Sequence, residues 1–470
     1  LKQVQRTINF AFSLILSPLL MPEITKPAPV KTPDLPKILM LGWEFPPVIN
    51  GGLGVACHDL CIALSKYANV TMIIPKSNPD FVVKNLNLIG LNTIDAKTLR
   101  NIGFAGENYK KLNKVHYIDT HLNPYYNGKT AGNQPLDLKS QYLKSVQIGN
   151  ETAEVFHIED LYGGDVIEKV TVFGKLAAKL ACSLDFDVIH AHDWMTMIAG
   201  MEIKAQTGKP LVMHIHSLEV DRGGPNSKGW VYQMEKHGME YADVLMPVSH
   251  FTGKIIHDYY GIPMSKIHTC HNGIRPVVPF KGEKLFKEKM VLFVGRLTRQ
   301  KGPEFFVDIA EKVLEYYQDV RFVMAGTGEY FNPLLERAAQ KGIAHRFHLT
   351  GFLNLDKVRQ LLSIADVYMM PSVSEPFGLS AVEAVQFGVP SVISKQSGVS
   401  EVLQGSLKFD YWDVQRAAQY VLALLNDEVL SDKIKEDAYK DLENISWDNA
   451  SQTVIAGYKK FNLIQDKVTS

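Results

Sequence analysis

"KILMLGWEFPPVINGGLGVACHDLCIALSKYANVTMIIP", Lys37 to Pro75, is the stretch on which the fold turns. KILMLGW is a short apolar run of the kind a buried strand presents. The glycine-rich loop Asn50-Gly51-Gly52-Leu53-Gly54 follows it. LGVACHDLCIALSKYA then repeats apolar residues at helical spacing, and NVTMIIP is the next strand. Strand, loop, helix and strand in that order predict a parallel, doubly wound sheet.

The alternation continues in both directions along the chain. DVIHAH (Asp187–His192), PLVMHIH (Pro210–His216) and DVLMPVS (Asp243–Ser249) are further buried-strand candidates. Between about Lys84 and Gly164 the pattern weakens, and polar pieces such as HLNPYYNGKTAGNQP read as an insertion or substrate-facing loops. A second series starts near Lys289 with MVLFVGR, VRFVMAG, RFHLTGF, DVYMMPS and VPSVISK, separated by helical stretches. Two series imply an α/β chain of two facing Rossmann-like domains, with the ligand site in the cleft between them. The division is residues 1–36 as an extension and proline-rich linker, 37–275 and 276–446 as the two domains, and 447–470 as a crossover helix and tail.

Composition narrows the function classes. The chain has 470 residues, 46% hydrophobic and 21% charged, with formal net charge +0. That leaves no basic excess for nucleic acid, so no nucleic-acid partner is expected. Cys57, Cys61, Cys182 and Cys270 form no Cys-x-x-Cys pair and no disulfide framework, which fits a reducing, cytoplasmic location. The apolar stretch Ile8–Met21 is too short to span a bilayer and is broken by Pro18. A weak membrane contact through that segment stays open, as does the oligomeric state.

The chemistry-bearing residues follow strand ends, where open α/β sheets bind ligands. GRLTRQKG brings Arg296 and Lys301 to the cleft, two cations suited to a diphosphate or, alternatively, two solvated surface charges. SEPFGLSAVEA sets Glu375 and Glu383 eight positions apart around a turn at Phe377, Gly378 and Leu379. Its following helix offers free N–H groups. Glu375 reads as a sugar contact or an exposed loop carboxylate. Glu383 reads as a ribose anchor or as the glutamate of a Ser380-x-x-Glu383 capping box. Gly51 and Gly52 would let backbone approach a ligand, a weak signal alone. Asp193 and His216 end two strands at the same rim, and Trp194 either stacks or packs. His190, His192 and His216 raise a zinc reading, but no His-Glu-x-x-His spacing accompanies them, and no metal is expected. No Gly-x-Ser-x-Gly elbow follows a strand, which removes a serine-hydrolase reading.

In this order, GWEFPPVINGGLG, VIHAHDW, HIHS, ADVLMPVSHFT, HNGI, GRLTRQKG, AGTGEY, TGF and SEPFGLSAVEAVQFGVPSVIS resemble the retaining GT-B glycosyltransferases, group 1, and among them the glycogen/starch synthase-like members. The resemblance runs from about Lys37 to Phe461. It implies a nucleotide-diphosphate sugar donor, ADP-glucose or UDP-glucose, with no further cofactor, and a glucan or other glycan acceptor entering along the N-terminal domain. By that resemblance Arg296 and Lys301 contact the diphosphate, while Glu375 and the backbone of Phe377, Gly378 and Leu379 hold the sugar. Glu383 holds the ribose, His216 and Asp193 position the sugar, and the Gly51-Gly52 loop lies over the diphosphate. One departure stands out. Starch synthases carry a Lys-Thr-Gly-Gly-Leu loop, and here the stretch is Ile49-Asn50-Gly51-Gly52-Leu53, without the cation. The expected activity is hexosyl transfer to an α-glucan. The second expectation is the same chemistry on a small sugar, a sugar phosphate or a lipid-linked glycan.

Overall fold

The computed structural model describes residues 35–48, 51–78, 80–94, 142–148 and 151–464. The apolar stretch Ile8–Met21, the Ile49-Asn50 pair and HLNPYYNGKTAGNQP lie outside them. The first half runs β1 (Lys37–Leu41), α1 (Gly52–Leu64), β2 (Asn69–Ile74), β3 (Leu86–Gly90), β4 (Leu143–Ile148), β5 (Glu151–Phe156), α2 (Val166–Ala181), β6 (Val188–His192), α3 (Trp194–Thr207), β7 (Leu211–Ile215), α4 (Glu219–Gly223), α5 (Trp230–Tyr241), β8 (Val244–Pro247) and α6 (His250–Tyr260). The second runs β9 (Lys289–Val294), α7 (Pro303–Leu314), β10 (Val320–Ala325), α8 (Phe331–Gln340), β11 (Phe347–Leu349), α9 (Leu355–Leu362), β12 (Val367–Met370), α10 (Leu379–Gln386), β13 (Ser391–Ser394), β14 (Leu407–Phe409), α11 (Val414–Asn426), α12 (Glu428–Asp441) and α13 (Trp447–Lys460).

Each half builds a six-stranded parallel sheet, ordered β3-β2-β1-β6-β7-β8 and β11-β10-β9-β12-β13-β14. The strand order therefore reverses between β1 and β6 in one sheet and between β9 and β12 in the other. At such a reversal the connections leave on opposite faces and open a crevice at the carboxyl ends of the strands. All five residues of β6 and of β7 are buried, although His190, His192 and His214 interrupt their apolar residues. Two strands of these sheets escaped the sequence reading. β3 is a half-exposed edge strand with mixed polarity, and β14 is an edge strand of three residues. The weak-pattern region also holds the antiparallel pair β4–β5.

Period-two alternation splits the first sheet's core. Leu39 and Leu41 face α2 and α3, while Ile38 and Met40 face α1. On that second face Trp447, Ala450, Val454 and Tyr458 of α13 pack beside Cys57, Leu60 and Cys61, so the chain's last helix completes the first domain's core. Burying a side chain such as Val454 contributes about 1.5–3 kcal/mol. The two chain crossings touch at a bridge between Ile274 and Ser446. Gly273 is required there, because a Cβ would lie 2.1 Å from the Trp447 nitrogen. Cys57, Cys61, Cys182 and Cys270 are all free thiols. Among the described residues no helix is long and apolar enough to cross a membrane.

Candidate active site

Two loops from the second sheet's reversal point form one wall. After β9 the chain makes a short turn, Arg299–Lys301, and enters α7 through Gly302 at φ 62°. Glycine is needed at Gly302 for that backbone and because a Cβ would sit 2.1 Å from the Pro371 carbonyl oxygen. The Gln300 carbonyl accepts the N–H groups of Val373 (2.9 Å) and Ser374 (3.3 Å), stitching this loop to the one after β12. The result is an ion pair: Lys301 Nζ donates to Glu375 Oε2, and Glu375 is only 5% exposed. The sequence reading had given these two residues separate tasks, and the structure couples them. Arg296 is exposed and makes no ion pair or side-chain hydrogen bond among the described residues.

The turn after Glu375 has its backbone sorted by role. Three successive carbonyl oxygens are occupied: Glu375 by the Gly398 N–H (2.9 Å), Pro376 by the Ser249 hydroxyl (2.6 Å) and Phe377 by the Val399 N–H (2.7 Å). The N–H groups of Phe377, Gly378, Leu379 and Ser380 have no partner among the described residues. Gly378, at φ 110°, is the N-cap of α10, and no side chain caps the helix. Ser380 is the second residue of α10, and its Oγ accepts from the Tyr368 hydroxyl at 2.7 Å. This overturns the capping-box reading of Ser380 and Glu383: a capping serine must precede the helix, and this one lies inside it. Leaving the first-turn N–H groups open is what an anion or a sugar oxygen requires.

The opposite wall comes from the first sheet's reversal point. Asp193 follows β6 at φ 56° and ψ 176°, a conformation normally left to glycine and costing about 1–3 kcal/mol. Its Oδ1 accepts the backbone N–H groups of His216 (2.6 Å) and Ser217 (3.3 Å), so it clamps the end of β7. Burial nevertheless pushes its carboxyl up to about 7, against those hydrogen bonds and the nearby Arg222. His216, by contrast, is pushed down to about 3 by burial and is neutral. Gly51 precedes α1 and donates its N–H to Glu44 Oε2 at 3.2 Å. A Cβ on Gly51 or Gly52 would meet nothing within 4 Å, so protein packing does not require glycine at either position. Trp194 is buried and packs edge-on against Trp230, which decides its reading towards packing.

Behind this wall His190, His192, His214 and His216 form a ladder of rings on one sheet face, as strand alternation implied for the first pair. His192 Nδ1 lies 2.9 Å from His216 Nε2, His190 Nε2 lies 3.0 Å from His214 Nδ1, and His190 Nδ1 lies 2.5 Å from the Tyr458 hydroxyl. His190, His192 and His214 bring one nitrogen each within 4.8 Å, and Cys57, His192 and His216 form a second such group. Burial holds every ring neutral and pushes the Cys57 thiol well up, and neither group contains a carboxylate to offset a buried dication. The ladder ties β6 and β7 to α13. Its two unpartnered atoms, His192 Nε2 and His214 Nε2, suit a buried water.

The two walls enclose a cleft of about 720 Å³ lined by Gly51, Gly52, Asp193, His216, Arg296, Lys301, Glu375, Phe377, Gly378 and Leu379. Glu383 does not line it. It sits further along α10 with a half-buried carboxylate that makes no hydrogen bond or ion pair among the described residues, and burial raises its pKa against the pull of Arg359. The sequence reading missed Glu44, Tyr162 and Arg222, which also line the cleft. Arg222 is committed to Glu235 (2.9 Å) and Glu219 (3.2 Å), and the Tyr162 hydroxyl donates to Glu44. No local pattern around Arg222 marked its side chain as cleft-facing.

Residues 37–268 match the starch synthase catalytic domain, and residues 275–441 match glycosyl transferases group 1. The chain is a GT-B glycosyltransferase of the glycogen/starch synthase-like group. Relatives of this glycosyltransferase include an uncharacterized glycosyltransferase of Methanocaldococcus jannaschii, 28% identical over 90% of this chain and 98% of its own. An alpha-maltose-1-phosphate synthase of Mycolicibacterium smegmatis is 28% identical over 58% of this chain and 79% of its own. A glycogen synthase of Mycobacterium tuberculosis is 23% identical over 83% and 86%. Among solved structures, the catalytic domain of starch synthase IV from Arabidopsis thaliana, bound to ADP and acarbose, superposes with TM-score 0.62 at 16% identity, covering 91% of this chain and 99% of that one. The two-domain fold expected from the sequence is the fold of these neighbours.

Proposed function

We propose that this glycosyltransferase moves glucose, or a related hexose, from a nucleotide-diphosphate sugar to an α-glucan with retention of configuration. The observation that carries the reading is the convergence on one cleft of Arg296, the Lys301–Glu375 pair and the open N–H groups of Phe377, Gly378 and Leu379. Arg296 and Lys301 supply positive charge where the diphosphate departs, an electrostatic role that needs no metal. When the donor arrives, Lys301 is shared between Glu375 and the diphosphate, and Glu375 turns to sugar hydroxyls. The open N–H groups hold the sugar or phosphate oxygens.

His216 and Asp193 offer hydrogen bonds to the sugar from the other wall. His216, being neutral, adds no charge of its own. Gly51 and Gly52 are free of any packing demand, which fits a backbone that must lie against the diphosphate. Glu383, unpartnered, binds the ribose diol one helical turn away from the cleft. The departing diphosphate takes the proton of the incoming hydroxyl on the face it leaves.

A second acceptor class, a sugar phosphate or small sugar, draws on the maltose-1-phosphate synthase relative and on the absence of a lysine from the Ile49–Leu53 loop. The experiment is a screen of ADP-, UDP- and GDP-glucose against glycogen, glucose 1-phosphate and small sugars, reading released nucleoside diphosphate. Acceptor-dependent release with glycogen supports the first reading, and release only with sugar phosphates supports the second. Release that ignores every acceptor counts against both.

A further inference from the structure

Ser249 joins β8 to α6 and is fully buried. Its side chain has two tasks. As N-cap of α6 it accepts the Thr252 N–H at 3.0 Å. It also donates to the carbonyl oxygen of Pro376, in the middle of the turn that carries the open N–H groups. Thr252 Oγ1 lies 2.9 Å from Ser249 Oγ and 3.4 Å from the same carbonyl. Gly398 closes the third side: a Cβ there would lie 2.2 Å from the Pro376 oxygen and 2.5 Å from Ser249 Cβ. One segment of the first domain and two of the second are therefore packed to contact around a single carbonyl group.

A second polar contact sits beside it. Glu401, in the turn Gly398–Glu401, reaches across to α6 and accepts the N–H groups of His250 (2.9 Å) and Phe251 (2.6 Å), while His271 Nε2 lies 2.7 Å from its Oε2. These are first-turn N–H groups of an 11-residue helix, so a carboxylate from one domain caps a helix of the other. Burial opposes the charge on Glu401, but the His271 contact and the two N–H groups outweigh it and hold its pKa below the usual value.

We infer that Ser249 and Glu401 are positioning residues that tie the aim of the Glu375–Leu379 turn to domain closure, so that the donor-binding N–H groups are set only when α6 is docked. The turn's outer carbonyls are held within its own domain, and the middle one is held only across the interface. Opening the cleft removes the Ser249 hydrogen bond and frees the peptide between Pro376 and Phe377, whose N–H faces the ligand. A donor bound to the open form is then held without being aligned, which limits its loss to water.

The inference rests on the donor reading above, and the test separates the two. In the full-length enzyme, Ser249→Ala is expected to lower kcat at least tenfold and leave nucleoside diphosphate affinity within about threefold, because Arg296 and Lys301 are untouched. Glu401→Ala is expected to behave alike, and the double variant to lose little more than either single one. Asp427→Ala removes a helix cap far from the cleft and controls for lost stability. A Ser249→Ala enzyme with wild-type kcat, or one whose loss is matched by Asp427→Ala, overturns the inference. Failure of the donor reading appears instead as a wild-type enzyme that releases nucleoside diphosphate from no donor. In that event amide exchange decides: faster exchange at Gly398 and Val399 in Ser249→Ala sustains the inference, and unchanged exchange overturns it.

Discussion

The two walls of the cleft solve opposite electrostatic problems. The second domain's wall presents an exposed guanidinium, a lysine–glutamate pair and helix N–H groups left open among the described residues. The first domain's wall presents groups that burial has pushed towards neutrality: Asp193 up to about 7 and His216 down to about 3. Its arginine, Arg222, is already matched by Glu219 and Glu235. On the proposed function, charge development on a leaving diphosphate is thus answered from one side, and the other side contributes shape and neutral hydrogen bonds.

The largest expected effect follows from the charged wall. Arg296→Ala and Lys301→Ala should each lower kcat by about 10²–10³, the usual scale for losing one preorganised stabiliser of transition-state charge. The two differ in stability. Arg296 is exposed and unpaired among the described residues, so its loss should leave the melting temperature unchanged. Losing Lys301 strands the buried Glu375 carboxylate and should destabilise the fold by about 3–5 kcal/mol. Steady-state kinetics and calorimetry on both variants check this, and equal stabilities would break the asymmetry between an exposed and a paired cation.

A smaller effect is expected at Glu383. Glu383→Gln should weaken nucleoside diphosphate binding about tenfold by calorimetric titration while raising or preserving the melting temperature at neutral pH, since a half-buried, unpaired carboxylate is removed. A loss of stability with unchanged binding would make the residue structural.

How much of this was legible in the sequence depended on burial. Strands buried on both faces, such as β8 and β12, announce themselves as apolar runs, whereas β3 and β14 lie at sheet edges and carry mixed residues. Cleft residues that follow those buried strands, from Asp193 to Glu375, were legible because a strand's end fixes where the next residue points. Glu44, Arg222 and Ser249 were not. Their roles depend on partners 118, 13 and 127 positions away, Tyr162, Glu235 and Pro376, and no local pattern records such pairings. The capping-box alternative at Ser380 fails for the same reason: the hydroxyl is turned to Tyr368 of the neighbouring strand, and a left-handed glycine ends the turn instead.

The neutral wall makes a prediction about pH. Asp193 has a folded pKa of about 7, above the ordinary carboxyl value of about 3.9. Its protonated form is therefore favoured by folding. That contribution is fully present below about pH 4 and is lost as pH rises through about 7. Glu235 and Glu202, also raised to about 7, and Asp221, raised to about 6, add the same sign. The buried histidines, held below their usual value, act with the opposite sign over this range, so the comparison that isolates Asp193 is with Asp193→Asn, which keeps an acceptor for the His216 and Ser217 N–H groups and should gain about 2–4 kcal/mol relative to wild type between about pH 4 and pH 7. Denaturant unfolding of both proteins across that range measures the difference.

The smallest effect belongs to His216. Burial leaves it neutral above about pH 3, so it can donate or accept a hydrogen bond but carries no titrating charge near neutrality. Its ring is steadied by His192, itself neutral, at 2.9 Å. His216→Asn should therefore raise the donor KM by about threefold to tenfold, the scale of one neutral hydrogen bond, with a much smaller fall in kcat than at Arg296 or Lys301. The sharper expectation is the pH profile. If the first wall acts through shape alone, the ratio of wild-type to His216→Asn rates should stay flat between pH 5.5 and 8. A ratio that drops with a midpoint near 6.5 would show a charged imidazole at work, and the contrast between the two walls would give way to a cation on each side of the diphosphate.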